Sequence, residues 1–263
     1  MTNLGPIGAA TRTDDTAVLA ELEQLGYGTL WLPGGEGDAP ARVSEAVRAT
    51  RTATITTGIM SVDQVPAADV AATYTKLAES HPGRFVPGLG GAHGAKPLAT
   101  LNAYFDALDP VVPATARILS ALGPKMLRLA RDRAAAAYPF LVTPDYVASA
   151  REIVGPDTGL AVLLTVVADA DPGQAREKLR DSGLRFLSGV PGYVANFRRM
   201  GFTEDDVANL SDRLVDGVTV WGDFDTVVRR LREYQAAGAD QLVIQIDALP
   251  RDWWSALATA ITG

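Results

Sequence analysis

Cysteine is missing altogether, which excludes disulfide bridges, thiolate chemistry and cysteine-bound zinc or iron–sulfur centres. Histidine is nearly missing. The two present, His81 and His93, are too few for a histidine-rich site, and no metal is expected. Positive charge is in deficit, with 24 Lys and Arg against 31 Asp and Glu. The resulting net charge of −7 opposes nonspecific binding to nucleic acid, whose phosphates require a basic surface. A small-molecule partner is expected instead. Long apolar runs are also lacking: the most extended, around Leu160 to Ala168, is far below the roughly 20 residues of a membrane span. From Met1 to Asp15 there is neither the basic start nor the apolar core of a signal peptide, so a soluble cytoplasmic protein is expected.

What is there is an α/β pattern running from end to end. In 263 residues, 47% of them hydrophobic, short β-type runs alternate with longer helical ones, the signature of repeated βα units around a parallel sheet. Eight such runs are read: Ile7 to Ala10, Thr29 to Leu32, Ala53 to Ile59, Phe85 to Leu89, Arg117 to Leu122, Tyr138 to Val142, Leu160 to Ala168 and Gln241 to Ile246. Eight strands close a (β/α)8 TIM barrel, here as a single domain over 1–263. Helix punctuation agrees: Thr13-Asp14-Asp15 precedes Thr16 to Leu25 and Gly26 follows, while Asp223 opens Phe224 to Ala237, closed by Gly238. One stretch exceeds a plain βα unit. Between strand 7 and strand 8, from Asp181 to Asp223, lies extra length of the kind that forms a lid or a substrate wall at a barrel's active-site end. Tyr193, Asn196, Arg198 and Arg199 within it either line a substrate pocket or pack the segment down.

Both histidines fall in the run from His81 to His93, which reads as a helix stop, a buried strand and a loop loosened by Gly88, Gly90 and Gly91. His81, before Pro82-Gly83, belongs to a helix end. His93 sits where a barrel enzyme keeps a catalytic group, although a solvent-exposed or capping loop histidine is the plainer reading of the residue alone. The glycines do not have the spacing of a dinucleotide fingerprint, which argues against a Rossmann fold. Lys125, Arg128, Arg131 and Arg133 form a basic run in an otherwise acidic chain: either a solvated helix face or an attractor for an anionic ligand.

Several pieces in order resemble the bacterial luciferase-like superfamily, in particular its branch of oxidoreductases that use the deazaflavin coenzyme F420. They are Glu23-Gln24-Leu25-Gly26-Tyr27-Gly28-Thr29-Leu30-Trp31-Leu32-Pro33, Thr57-Gly58-Ile59, Pro82-Gly83-Arg84-Phe85 with Gly88-Leu89-Gly90, and Ala121-Leu122-Gly123-Pro124-Lys125-Met126-Leu127. Tyr138-Pro139-Phe140-Leu141-Val142-Thr143-Pro144, Arg199-Met200-Gly201-Phe202-Thr203 and Trp221-Gly222-Asp223 follow.

The resemblance implies a flavin-like ring lying across the carboxyl ends of the strands. It places a non-prolyl cis peptide at Gly58-Ile59 and a ring-contacting hydroxyl at Ser61. It makes Gly123-Pro124 a phosphate-holding turn, with Leu141, Val142 and Thr143 as the second wall, and gives Lys96 a polar place in the loop after the fourth strand. His93 matches a position where some relatives carry a glutamate that exchanges a proton with substrate. One departure stands out: where those relatives have an Asp-His pair after the second strand, this chain has Gly34-Gly35, with Glu36 and Asp38 displaced.

The implied activity is hydride transfer between coenzyme F420 and a small organic substrate, with His93 as the proton donor or acceptor. Two alternatives remain open at this point: an FMN-dependent monooxygenase, and a degenerate barrel that binds a cofactor without turnover. Relatives commonly form homodimers through outer helices, and Trp253-Trp254 would either join such a contact or pack on the barrel.

Overall fold

The computed structural model describes residues 4–34 and 38–263. Its main sheet is wholly parallel, in the order Met60–Ser61, Gly88–Gly90, Ile118–Leu119, Ala136–Ala137, Gly159–Leu164, Gln241–Gln245, Ile7–Ala10, Thr29–Leu32, Thr54–Thr57, Phe85–Val86. The two ends of that order are halves of neighbouring strands. Thr54–Thr57 pairs with Phe85–Val86, and Met60–Ser61, just beyond, pairs with Gly88–Gly90, so the sheet closes on itself as an eight-stranded barrel.

Two strands are broken for physical reasons visible in the chain. The third is interrupted by the cis peptide Gly58-Ile59. The fourth is interrupted at Pro87, which has no N–H to give the ladder. At Gly88 the neighbouring strand comes so close that a β-carbon would lie 1.9 Å from the Thr57 carbonyl oxygen. Only glycine fits there.

The sixth strand corrects the reading from sequence. It is Ala136–Ala137, and of the expected Tyr138–Val142 run only Phe140 makes a lone bridge, to Leu163. Pro139 lacks the donor, and Leu141 turns the chain away with a φ of 54°. The seventh run is also divided: Gly159–Leu164 stays in the barrel, while Val166–Ala168 leaves it and pairs with Val220–Gly222.

The barrel interior explains the choice of small residues. Trp31 and Tyr138 stack inside it with ring centroids 4.0 Å apart and planes within 11°. Around them pack Val86, Ile118, Ala136, Ala161, Leu163 and Val243, and a β-carbon on Gly8 would meet the Trp31 indole nitrogen at 2.9 Å. Small side chains on facing strands make the room that the two rings fill. The Trp31 indole N–H donates to Gln241 Oε1 at 3.1 Å, so its buried polar atom is satisfied.

Outer helices cover the barrel, and their caps follow the sequence signals. Asp15 accepts from Ala17 N before Thr16–Gln24, and Asp223 accepts from Thr226 N before Phe224–Ala236, with Gly26 and Gly238 at positive φ beyond the two helices. At the amino-terminal rim the turn of residues 50–53 is clasped from both sides. The Glu23 carboxylate accepts from the backbone N–H groups of Arg51, Thr52 and Ala53, while the Arg84 guanidinium donates to the carbonyls of Thr50, Arg51 and Ala53. Glu23 and Arg84, each in a recognised motif piece, therefore serve the foot of the third strand rather than the mouth.

After helix Pro172–Leu179 and a π-type turn over Arg180–Leu184 that is broken at Ser182, the extra length folds as helices Pro191–Arg199, Glu204–Asn209 and Asp212–Val218. It has its own apolar core, in which Leu179, Leu184, Phe197, Leu214, Val215 and Val218 gather with Leu141 of the barrel. No helix among the described residues is long and apolar enough to cross a membrane, and no group of three or more His, Asp or Glu side chains among them converges to hold a metal ion. Trp254 is buried, its backbone carbonyl accepting from the Tyr27 hydroxyl, and Trp253 packs edge-on against Phe224 at 5.3 Å. Both pack on the barrel.

Candidate active site

The carboxyl ends of the strands enclose a cleft of about 340 Å³. Its wall draws on the first strand's exit at Thr11 and Arg12, on Pro33, Gly58 and Leu163, and on Gln245 and Asp247 from the eighth, while the Trp31–Tyr138 stack also lines it. Asp247 is fixed by Thr11 Oγ1 at 2.5 Å and by the Arg12 backbone N–H at 2.8 Å. Gly58 has to be bare, since a β-carbon there would lie 2.9 Å from the Tyr138 hydroxyl. That hydroxyl makes no hydrogen bond to any described residue, and Tyr138 borders the cleft. Burial, helped by the nearby Tyr193 phenol, pushes the Tyr138 pKa well above the ordinary 10.0, so the group stays a neutral donor.

The residues singled out in the sequence fall into three places. Gly58 lines the cleft, and Ile59 follows it across the cis bond. Ser61 donates to the Gly91 carbonyl at 3.3 Å, tying the third strand's end to the fourth strand's loop. His93 lies on that loop, exposed, its backbone N–H held by Asp63 at 2.8 Å and its ring outside the lining of the cleft. Lys96 is exposed at the start of helix Pro97–Leu108, its carbonyl accepting from Thr100.

Gly34 packs against the third strand's break: a β-carbon there would lie 2.5 Å from Met60 N and 2.6 Å from the Ile59 carbonyl carbon. The departure from an acidic residue at that point thus has a steric reason. Gly35 and Glu36 lie outside the described residues, and Asp38 caps helix Ala39–Ala49 by accepting from Ala41 N at 3.1 Å.

Gly123, Pro124 and Thr143 come together at a second cavity, of about 490 Å³. Helices Pro124–Arg133 and Pro144–Val154 both begin here, presenting the positive ends of their dipoles. Thr143 Oγ1 accepts from Tyr146 N at 3.1 Å, and the Tyr146 hydroxyl donates to the Leu122 carbonyl at 2.7 Å. Leu141 and Val142 are fully buried in the apolar cores, so their side chains do not line this wall; the Val142 carbonyl accepts from the Tyr234 hydroxyl at 2.8 Å. Asn196 and Arg199 reach the cavity from the extra segment, whereas Arg198 turns outward to Glu204. Of the basic run, Arg133 is paired with Asp106 and Asp109 and Arg131 with Asp132, while Lys125 and Arg128 are exposed without an ion pair to any described residue.

Tyr138 escaped the reading of the sequence because it looked like the start of a strand. The signal lay in its surroundings: Gly8, Ala136 and Ala161 are too small to fill a barrel unless large rings enter from elsewhere.

No protein-family model matches the sequence, and no curated protein matches it. Solved structures do. The coenzyme F420-dependent tetrahydromethanopterin reductase of Methanopyrus kandleri superposes with a TM-score of 0.73 at 16% identity, over 98% of this chain and 96% of that one. An F420-dependent secondary alcohol dehydrogenase in complex with an F420–acetone adduct gives 0.69 at 17%, over 98% of both chains. The oxygenating constituent of 3,6-diketocamphane monooxygenase from Pseudomonas putida, in complex with FMN, gives 0.65 at 14%, over 98% of this chain and 97% of that one. Superposition over 98% of the chain on each of these structures, together with the closed parallel barrel, leads to one conclusion: this chain has the bacterial luciferase-like fold.

Proposed function

We propose that the protein is an oxidoreductase of the luciferase-like kind that uses coenzyme F420 to move a hydride to or from a small organic substrate. The observation that carries this reading is a pair of cavities suited to the two ends of such a cofactor. One is an aromatic-floored cleft with a free phenol donor at Tyr138, and the other opens on two helix starts with an unpartnered buried amide at Asn196. Residues and group fit. When bound, the deazaflavin supplies a hydride-carrying carbon and no oxygen chemistry.

The chain's own contribution is binding, orientation and protons. Gly58 leaves the cleft wall open to a flat ring, and the Tyr138 hydroxyl donates a hydrogen bond without ionising. The starts of the two helices at Gly123 and Thr143 hold the phosphate. Lys125 and Arg128, one turn apart and without an ion pair to any described residue, attract the acidic tail beyond it. His93, on the loop at the same end of the barrel, exchanges the proton that accompanies hydride transfer. A homodimer in the cytoplasm is the working assembly.

One observation favours FMN as the second reading. Arg131 and Arg133 are already neutralised by carboxylates, which leaves less positive charge for a long anionic tail than the sequence promised. Calorimetric titration with oxidised coenzyme F420 and with FMN, at low and high salt, decides. Tight, salt-sensitive binding of the deazaflavin is expected. A preference for FMN moves the protein to the monooxygenases, and binding of neither makes it a non-catalytic barrel.

A further inference from the structure

We infer that Asn196 and Arg199 are an anion grip through which the extra segment fastens onto the phosphate ester of the bound cofactor. The inference rests on the proposed function for the identity of the ligand, and on three observations for the grip itself.

The first is an orphan. Asn196 is 0% exposed, and its Nδ2 has no hydrogen-bond partner. Its orientation is fixed because Oδ1 accepts from Arg199 Nη2 at 3.1 Å; turning the amide over would set donor against donor. A buried N–H donor on a residue that lines the cavity is therefore left with nothing to give to among the described residues.

The second is a free charge. Arg198 pairs with Glu204 and Arg213 with Asp206, but Arg199 has no ion pair among the described residues. Its guanidinium stands where a β-carbon on Gly123 would meet Nη2 at 3.5 Å, directly over the start of helix Pro124–Arg133. A guanidinium, an amide donor and two helix starts converge on one volume. Phosphate oxygens match that donor set, and the exposed Asp145 at the rim is the one carboxylate among the lining residues.

The third is a stripe. Tyr193, Asn196 and Arg199 follow one another at three-residue spacing on helix Pro191–Arg199 and so share a face. Tyr193 meets Phe140 edge-on at 6.4 Å and acts on the phenols of both Tyr138 and Tyr146. The same helix thus reaches from the Phe140 ring to the anion cavity.

The test compares ligands with and without the phosphate: FMN and riboflavin differ in it alone, and coenzyme F420 and its deazaflavin alcohol also in the acidic tail beyond it. Wild type, Arg199→Met, Arg199→Lys and Asn196→Leu are titrated calorimetrically with coenzyme F420 and with its phosphate-free deazaflavin alcohol, and in parallel with FMN and riboflavin. Arg199→Met is expected to weaken the phosphate-bearing ligand about 10- to 100-fold and its phosphate-free partner less than about twofold, with partial recovery in Arg199→Lys. Asn196→Leu is expected to weaken the same ligand while its ligand-free melting temperature stays level or rises, since an unsatisfied donor has been removed. Equal losses for both members of a ligand pair, or none for the phosphate-bearing one, overturn the grip. If wild type binds no ring compound, the proposed function fails by itself. The grip is then judged by inorganic phosphate alone: millimolar phosphate must raise the melting temperature of wild type and not of Arg199→Met, and its failure to do so overturns the inference.

Discussion

Replacing Glu23 by Ala removes the carboxylate from the foot of the third strand and asks how much that clasp contributes. Three backbone N–H groups would lose an anionic acceptor at 2.6 to 2.9 Å, together with the Thr52 hydroxyl at 3.1 Å. Hydrogen bonds to a charged group contribute about 1.5–3 kcal/mol each at best. Here water reaches the rim and replaces part of what is lost, so the net cost is set at about 2 kcal/mol. For a chain of this size that lowers the melting temperature by roughly 4–8 °C. Partial burial of Glu23 opposes its ionisation, but the N–H donors of Thr52, Arg51 and Ala53 outweigh it and hold the carboxyl below its ordinary 4.5. A folded-state pKa below the unfolded one means the contribution is complete above about pH 5 and is lost as pH falls through the folded value. Thermal unfolding of wild type and Glu23→Ala at pH 7 and again near pH 3 should show the gap narrow on acidification. Equal melting temperatures at pH 7, or a gap undiminished in acid, would refute the reasoning. Ligand binding at the opposite end of the barrel should be unchanged.

Other perturbations separate packing from function. Tyr138→Phe removes a hydroxyl with no partner among the described residues, so stability to urea should hold within about 0.5 kcal/mol while the ring-bearing ligand binds roughly 3- to 10-fold more weakly; a large stability loss would mean the phenol is structural. Gly88→Ala sets a β-carbon 1.9 Å from the Thr57 backbone oxygen, which no side-chain rotation relieves, and should cost at least about 3 kcal/mol in denaturant unfolding. His93→Gln should leave folding and cofactor binding unaltered and reduce turnover by about 100-fold if the imidazole exchanges the proton; unchanged turnover removes His93 from the reaction.

The barrel was legible because its strands are short apolar runs set off by glycine, proline and helix caps, all local signals. The sixth strand was not, for a reason that is also physical. Alanine carries little strand preference, and of Ala136–Ala137 the first packs with Trp31 inside the barrel while the second belongs to the main core outside it. Gly58, Gly123, Pro124 and Thr143 were within reach of the sequence because backbone-level sites leave glycine, proline and cap residues behind. Asn196 and Arg199 were left open between a substrate pocket and packing of the segment, since the approach of helix Pro191–Arg199 to Gly123 is set by the segment's separate core. Glu23 and Arg84 show the converse. They belong to recognised motif pieces and proved to be structural, because a motif marks what a fold repeats and not only what it catalyses.

The ring stack under the cleft gives the protein its own optical gauge. Trp31 is the one tryptophan that lines this opening; Trp221 lies in the extra segment, and Trp253 and Trp254 lie in the last helix. A conjugated ring settling over Trp31 would drain its excited state, whereas a phosphate held at Gly123 would leave it bright. Emission from a variant keeping only Trp31 therefore reports which end of a ligand has arrived.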